Sequence, residues 1–405
     1  MKRWLIFIGG FIYCLRAIPL YAQAGLDVRT GVSDLNSGEQ LLCRYIEDSV
    51  FCTHSDGSAF TGAAKKEYGN GMLMWVIQFS EGKQNGEYKV YSAQAKLMSE
   101  GIYRNGKKNG TVKTYYPSGN LQSEEKYTLG KLNGIKRVYY EDGRLQTEGN
   151  FEDGVLEGTL KAYYPNGNLS VECDFRNNMK HGNNKVYAEN GTLSEHSQWK
   201  NNQKDGIEIL YDADGNKKTE QLWKADLLNG EAIKYFPNGT IENKTTWVNG
   251  VKNGPNTSYY ENGQIHTDGT MINNQWQGIV KVFDRQGHLI EENPYTDGKR
   301  NGSKREYYAD GKLRLSASFE NDMQNGITTA YYENGMVKSE TTFVNDKMDG
   351  ITRLYYENGL LAAESNWANG QKNGITKQYA SDGELILEEY FKNGVSQGKK
   401  SGKSR

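Results

Sequence analysis

Proline occurs only 6 times, cysteine 4 times and histidine 5 times in the 405 residues. The five histidines, His54, His181, His196, His266 and His288, are scattered without ligand spacing, so no metal site is expected. H-E-x-x-H and P-loop motifs are absent. No cofactor and no enzymatic activity are therefore expected. A net charge of −1 gives no basic surplus for nucleic acid. An apolar content of 36% is low for a large globular core. After the first 15 residues no apolar run is long enough to span a membrane.

What is abundant is glycine, and its placement is periodic. From Gly62 every 24th residue is glycine, through Gly86, Gly110 and Gly134 to Gly398. With this glycine as position 1, thirteen full units follow from Gly86. Position 10 is glycine in all of them but the first, where Ala95 stands; examples are Gly119, Gly143, Gly167, Gly335 and Gly359. Position 6 is aromatic in all thirteen, position 18 in twelve, and position 12 is aliphatic except at Lys217. Position 15 is usually Glu, and position 21 is only Gly, Asn or Asp.

Two apolar stretches of strand length alternate with two turn signals, and neither stretch is long enough for a helix. Pro117, Pro165 and Pro237 at position 8 suit a type I turn closed by a left-handed glycine, a three-residue hairpin loop. A two-residue Asn-Gly loop is the alternative, but it would put those prolines in the paired strand, so the three-residue loop is preferred. The Gly/Asn/Asp restriction at position 21 asks for a second left-handed turn. The expected fold is all-β: an elongated single-layer antiparallel meander of tandem hairpins, about 125 Å long if unbent, and monomeric. With the three-residue loop, positions 4, 6, 12, 14 and 18 are expected on one face, and position 15 on the other.

The start of the chain departs from the period. A basic beginning, an apolar run from Trp4 to Leu15 and Ala22-Gln23-Ala24 form a signal-peptide pattern; a membrane anchor is the alternative, interrupted by Arg16. The expected organisation is a signal peptide at 1–24, an N-terminal cap with a degenerate repeat at 25–61, the repeat array at 62–398 and a basic disordered tail at 399–405. Cleavage near Ala24 would place the protein outside the cytoplasm: secreted, periplasmic or in the cell envelope, with no transmembrane segment left. There Cys43 and Cys52 could bridge and cap the first repeat, or remain two free thiols. Cys173, at position 16, is expected to pack as a small apolar residue.

The rows of side chains admit two readings. The Glu row at position 15 reads as a solubilising row rather than a catalytic pair. The aromatic rows either pack along the sheet with lysine stems over the rings, or also bind an extended partner. For the second reading the consecutive Trp199, Trp223 and Trp247 are the candidates, with rings roughly 10 Å apart.

The unit G-x-x-K-x-Y-Y-x-N-G-x-L, with its aromatic at position 18 and its N-G-K-x-N closing turn, resembles the MORN-repeat variant found in many bacterial proteins. The resemblance covers residues 62–398. It implies a hairpin array used for protein–protein assembly, hence a scaffold with a protein partner. Some such relatives are labelled antitoxin components, which makes neutralisation of a toxin a further reading. The unit is also similar to choline- and glucan-binding wall repeats, which would imply a glycan ligand. Those usually open with Gly-Trp, whereas position 2 here is never Trp.

Overall fold

The computed structural model describes residues 30–46 and 49–401, so the expected signal peptide lies outside the described residues. Contacts divide the chain into two compact units, Met1–Gly191 and Thr192–Arg405. Every regular element among the described residues is a β-strand.

The first unit begins with three short strands, β1 (Val32–Asp34), β2 (Leu42–Ile46) and β3 (Ser49–Thr53). They are followed by β4 (Gly62–Glu67), β5 (Leu73–Ser80) and β6 (Lys83–Tyr91). Strand β1 pairs with β4 and so covers its edge. Strands β2 and β3 pair with Cys43 opposite Cys52, and the two are joined as a disulfide. This hairpin does not follow the repeat register, because Cys43 and Cys52 would stand at positions 6 and 15, which do not face each other in a repeat. It packs instead over the first repeats. Val50, Cys52 and Phe60 bury with Trp75, Ile77, Phe79, Tyr88, Tyr103 and Val112 in one cluster. Gln84, also buried, accepts the Val50 amide on its side-chain oxygen at 3.2 Å. Here the thin sheet acquires a three-dimensional core.

Beyond the cap, both units are antiparallel meanders whose hairpins repeat one geometry. Tyr115 lies opposite Leu121, the Tyr116 amide donates to Asn120 O at 2.9 Å, and the Gly119 amide donates to Tyr116 O at 2.8 Å. That is the three-residue loop: a type I turn followed by a left-handed glycine. Gly119, Gly143, Gly167, Gly335 and Gly359 have φ of +95°, +88°, +93°, +85° and +83°. The second turn is a two-residue loop at positions 20 and 21, both left-handed. Asn369 and Gly370, at φ +50° and +81°, are typical, and this is the type I′ signature. Leu129 (φ +48°) and Ala225 (φ +49°) hold position 20 without the Asn or Asp that favours it.

The register corrects the expected faces. After position 12 one residue bulges out: Tyr115 pairs with Leu121, but the preceding Thr114 pairs with Ser123, leaving Gln122 unpaired. The extra residue shifts every later side chain to the opposite face. Position 15 therefore shares a face with positions 2, 4, 6, 12 and 17, while positions 14, 16 and 18 join positions 3 and 5 on the other. The second face is the more buried: Val112, Leu160 and Val280 at position 3, Ser99 and Ser123 at 14, Cys173 and Ser365 at 16, and Phe151 at 18 are all buried. Position 16, flanked by position 3 of two strands, has little room. A Cβ on Gly101 would lie 2.9 Å from Tyr88 and 3.0 Å from Val112. Gly, Ala, Cys, Ser or Thr accordingly fill position 16 in most units.

Polar consensus residues join each repeat to the next. The position 7 tyrosine donates its hydroxyl to the backbone oxygen of position 6 in the following unit: Tyr116 to Tyr139 at 2.7 Å, Tyr332 to Tyr355 at 2.8 Å and Tyr356 to Tyr379 at 2.7 Å. At the other rim the position 21 amide donates to position 23 of the preceding unit, as Gly250 does to Leu228 O at 2.8 Å. Where position 21 is Asn or Asp, its side chain also accepts the amide of that residue, as Asp322 does from Arg300 at 2.8 Å. Position 24 accepts the position 20 amide of the next unit, as Asn109 does from Leu129 at 3.3 Å. The Asn and Gly of the consensus thus serve neighbours as well as their own turns.

The last strand, Val395–Ser401, pairs with Leu385–Lys392, placing Lys399 opposite Glu389 and Lys400 opposite Glu388. Residues 399–401 thus belong to the sheet rather than to a disordered tail, held by ladder hydrogen bonds and opposite charges.

Gly335 offers a local test. Its added Cβ would meet nothing within 4 Å, so only its φ of +85° resists substitution. Gly335→Val is expected to cost about 1–3 kcal/mol in strain, and a change at Ser339 on the same hairpin distinctly less. Chemical denaturation of both variants checks this; equal costs would refute the turn assignment.

Candidate binding faces

Both faces carry repeated chemistry. On the face of positions 2, 4, 6, 12, 15 and 17, the Glu row is paired rather than freely solvated. The Tyr115 hydroxyl donates to Glu100 at 2.6 Å, Tyr307 to Glu292 at 2.7 Å and Tyr355 to Glu340 at 2.9 Å. Arginines at position 4 add charge: Arg137 Nε donates to Glu148 at 2.6 Å and Arg353 Nε to Glu364 at 2.9 Å. These carboxylates are thus shared with a cross-strand arginine or the next unit's tyrosine.

Burial and then the hydrogen bond to Glu100 push the Tyr115 phenol up to about 12. A free tyrosine ionises near 10. The folded value exceeds the unfolded one, so the stabilisation is complete below about pH 10 and is lost as pH rises through about 12. Ultraviolet titration of tyrosinate should show late-ionising tyrosines, and Glu100→Gln should shift one of them toward the ordinary value. An unchanged titration would count against the pairing.

At the edges of this face the apolar side chains are open. In the second unit Glu231, Pro255 and Ser303 hold position 2 in some repeats, while in others it is an exposed isoleucine, Ile279, Ile327, Ile351 and Ile375, of which Ile327 is 57% exposed and Ile375 41%. Their cross-strand partners at position 17 are Pro294, Thr342, Asn366 and Tyr390. Periodicity reads these isoleucines as ordinary strand residues; their exposure follows from the register.

On the other face the structure places Trp199, Trp223 and Trp247 in one row, half-buried. Trp199 Nε1 donates to Ser197 Oγ at 2.8 Å and Trp223 Nε1 to Glu208 Oε2 at 2.9 Å. The Lys204 ammonium lies 5.9 Å from the Trp199 ring centre and 5.1 Å from that of Trp223, and it bonds Glu208. Lys252 lies 5.6 Å from the Trp247 ring centre. The cations come from position 23, not from position 4, which the bulge places on the opposite face. They occupy ring surface on which a ligand would stack.

Sequence reasoning passed over a charged cluster on this face in the first unit. Glu125 takes position 16, where most units have a small residue. Lys136 Nζ lies 2.8 Å from Glu125, and the Tyr127 hydroxyl donates to it at 2.7 Å. The signal available was a Glu one residue beyond the Glu row. Among the described residues no group of three His, Cys, Asp or Glu could hold a metal ion, and no helix is long and apolar enough to cross a membrane.

A sequence profile of the family described as "MORN repeat variant" matches ten segments: 108–128, 132–153, 156–177, 180–201, 228–249, 252–273, 300–321, 324–345, 348–369 and 372–393. Together they make up more than half of the chain. No curated protein matches. Among solved structures, that of TcdB2-TccC3 is 12% identical, with a TM-score of 0.16, over 89% of this chain and 20% of that one. Alternansucrase in complex with isomaltononaose is 15% identical, with a TM-score of 0.17, over 82% and 23%. The Photorhabdus luminescens Tc holotoxin pore is 14% identical, with a TM-score of 0.15, over 87% and 24%. This chain spans about a quarter or less of each of these structures.

Proposed function

Because this chain belongs to the MORN repeat variant family, we propose that it is a non-enzymatic interaction scaffold, acting outside the cytoplasm, that holds a protein partner along the isoleucine-bearing face. The observation that carries this reading is the return of an exposed isoleucine at position 2 in three consecutive repeats, Ile327, Ile351 and Ile375, beside a charge-paired row. Exposed apolar surface repeated on a rigid sheet suits contact with another protein. The tryptophan row suits it less, since its rings are half-covered and cation-capped. The location outside the cytoplasm is supported by the N-terminal sequence pattern and by a buried disulfide, which is stable in an oxidising compartment.

The chain lacking residues 1–24 can serve as bait in a cell-envelope extract, beside a triple variant, Ile327→Asp, Ile351→Asp and Ile375→Asp, and beside Trp223→Ala. The triple variant is expected to lose at least tenfold in capture with little change in melting temperature, because these side chains are already exposed. Trp223→Ala should keep its capture. Lost capture in Trp223→Ala alone would move binding to the other face, and displacement of the partner by soluble oligosaccharide would favour a glycan ligand.

A further inference from the structure

The apolar surface of the isoleucine-bearing face continues beyond position 2. Position 19 lies two residues past position 17 on the same face, and position 22 opposes it across the two-residue turn. In the repeats of Ile327, Ile351 and Ile375 this level holds Val344 and Val395, both exposed. Lys347 stands opposite Val344, and Lys392 opposite Val395. Both lysines are exposed, and neither faces a carboxylate directly across its turn. The result is an aliphatic band with a basic outer margin. At its inner margin Glu340 and Glu364 are already bonded by Tyr355 and Arg353.

The pitch of this band selects what can lie on it. One repeat is two strands, so the isoleucines recur about every 9.6 Å. An extended partner chain covers that distance in about three residues, which turns its next contact to the opposite side. A polyproline helix keeps its side, at about 9.3 Å per three residues, but is recognised by aromatic-lined grooves. This band is aliphatic apart from Tyr390, opposite Ile375. An α-helix advances about 10.5 Å in seven residues and returns nearly to the same side. Over the two intervals from Ile327 to Ile375 the mismatch is about 2 Å, within the reach of a side chain. From position 17 to the turn the band is about 10 Å wide, the width of one helix.

Given that the isoleucine-bearing face binds a protein, as proposed above, we infer that the partner docks an amphipathic α-helix across the strands of residues 326–397. Apolar side chains seven residues apart rest on Ile327, Ile351 and Ile375. Acidic residues on the outer flank of the helix meet Lys347 and Lys392, which stand two repeats apart and so match about fourteen helix positions. The charged flank also fixes the helix direction, because reversal would turn its acids toward the Glu row.

Fluorescent synthetic peptides added to the full chain test this by anisotropy and circular dichroism. The first carries leucine at every seventh residue and glutamates along one flank. The second has the same composition with leucine at every sixth, and the third is proline-rich. The first is expected to bind with a gain in helicity, and the second at least tenfold more weakly. Ile351→Asp should weaken the first at least tenfold. Lys347→Glu with Lys392→Glu should weaken it too, and a peptide with lysines on that flank should recover binding to this variant. Equal binding of the two spacings, tighter binding of the proline-rich peptide, or no binding of the first would overturn the helical partner. If the triple aspartate variant still lost its captured protein, the face itself would stand, with a partner of another shape.

Discussion

Trp75→Ala is expected to be the most damaging single substitution in the first unit, costing about 3–5 kcal/mol. Trp75 is 1% exposed and sits where the cap hairpin crosses the repeat sheet, among Ile77, Phe79, Tyr88 and Val50. The cap hairpin packs over the sheet here, so the cavity would have walls on both sides. Trp223→Ala removes the same atoms from a half-buried position and should cost appreciably less. Hydrogen exchange should place the Trp75 damage in the cap and first repeats, because each repeat is held mainly by its neighbours. Equal costs at Trp75 and Trp223 would show that the cap core is not the special feature it is taken to be.

Loss of the Cys43–Cys52 bridge is expected to cost about 2–3 kcal/mol, whether by reduction or by Cys43→Ala with Cys52→Ala. The bridge closes a short loop, with a sequence separation of 9, so its entropic effect is modest. Its position enlarges the consequence. Strand β3 touches the repeats through few backbone bonds, among them the Cys52 amide to Gly82 O at 2.8 Å. Its hold therefore rests on Val50, Cys52 and the Gln84 contact staying in place. Reduction should raise exchange in residues 30–60 and leave the repeats from Gly110 onward protected. Cooperative melting of the whole chain on reduction would contradict nearest-neighbour stability.

The period of 24, the all-β fold, the three-residue loop and the left-handed glycines at Gly119 and Gly335 were legible in the sequence, because local turn chemistry dictates them. Proline at position 8 and glycine at position 10 admit few backbone paths. The left-handed requirement at position 21 was legible for the same reason. Its second task, donating to the preceding repeat, was not, because it depends on which strands become neighbours.

The tertiary structure decided which side chains share a face. One unpaired residue after position 12, Gln122 in its unit, moves Glu124 beside the tyrosine row and Tyr127 away from it. No composition rule marks that residue, since the bulge arises from fitting a left-handed turn to the twist of paired strands. The same step decided that Trp199, Trp223 and Trp247 lie half-buried under lysines from position 23, and that Ile327, Ile351 and Ile375 face outward. The sequence by itself determined the repeat, its strands and its turns, each set by residues adjacent in the chain. Faces, cap and contacts between repeats were decided only in three dimensions, because a shift of one residue reverses a strand's sides and leaves its local conformation almost unchanged.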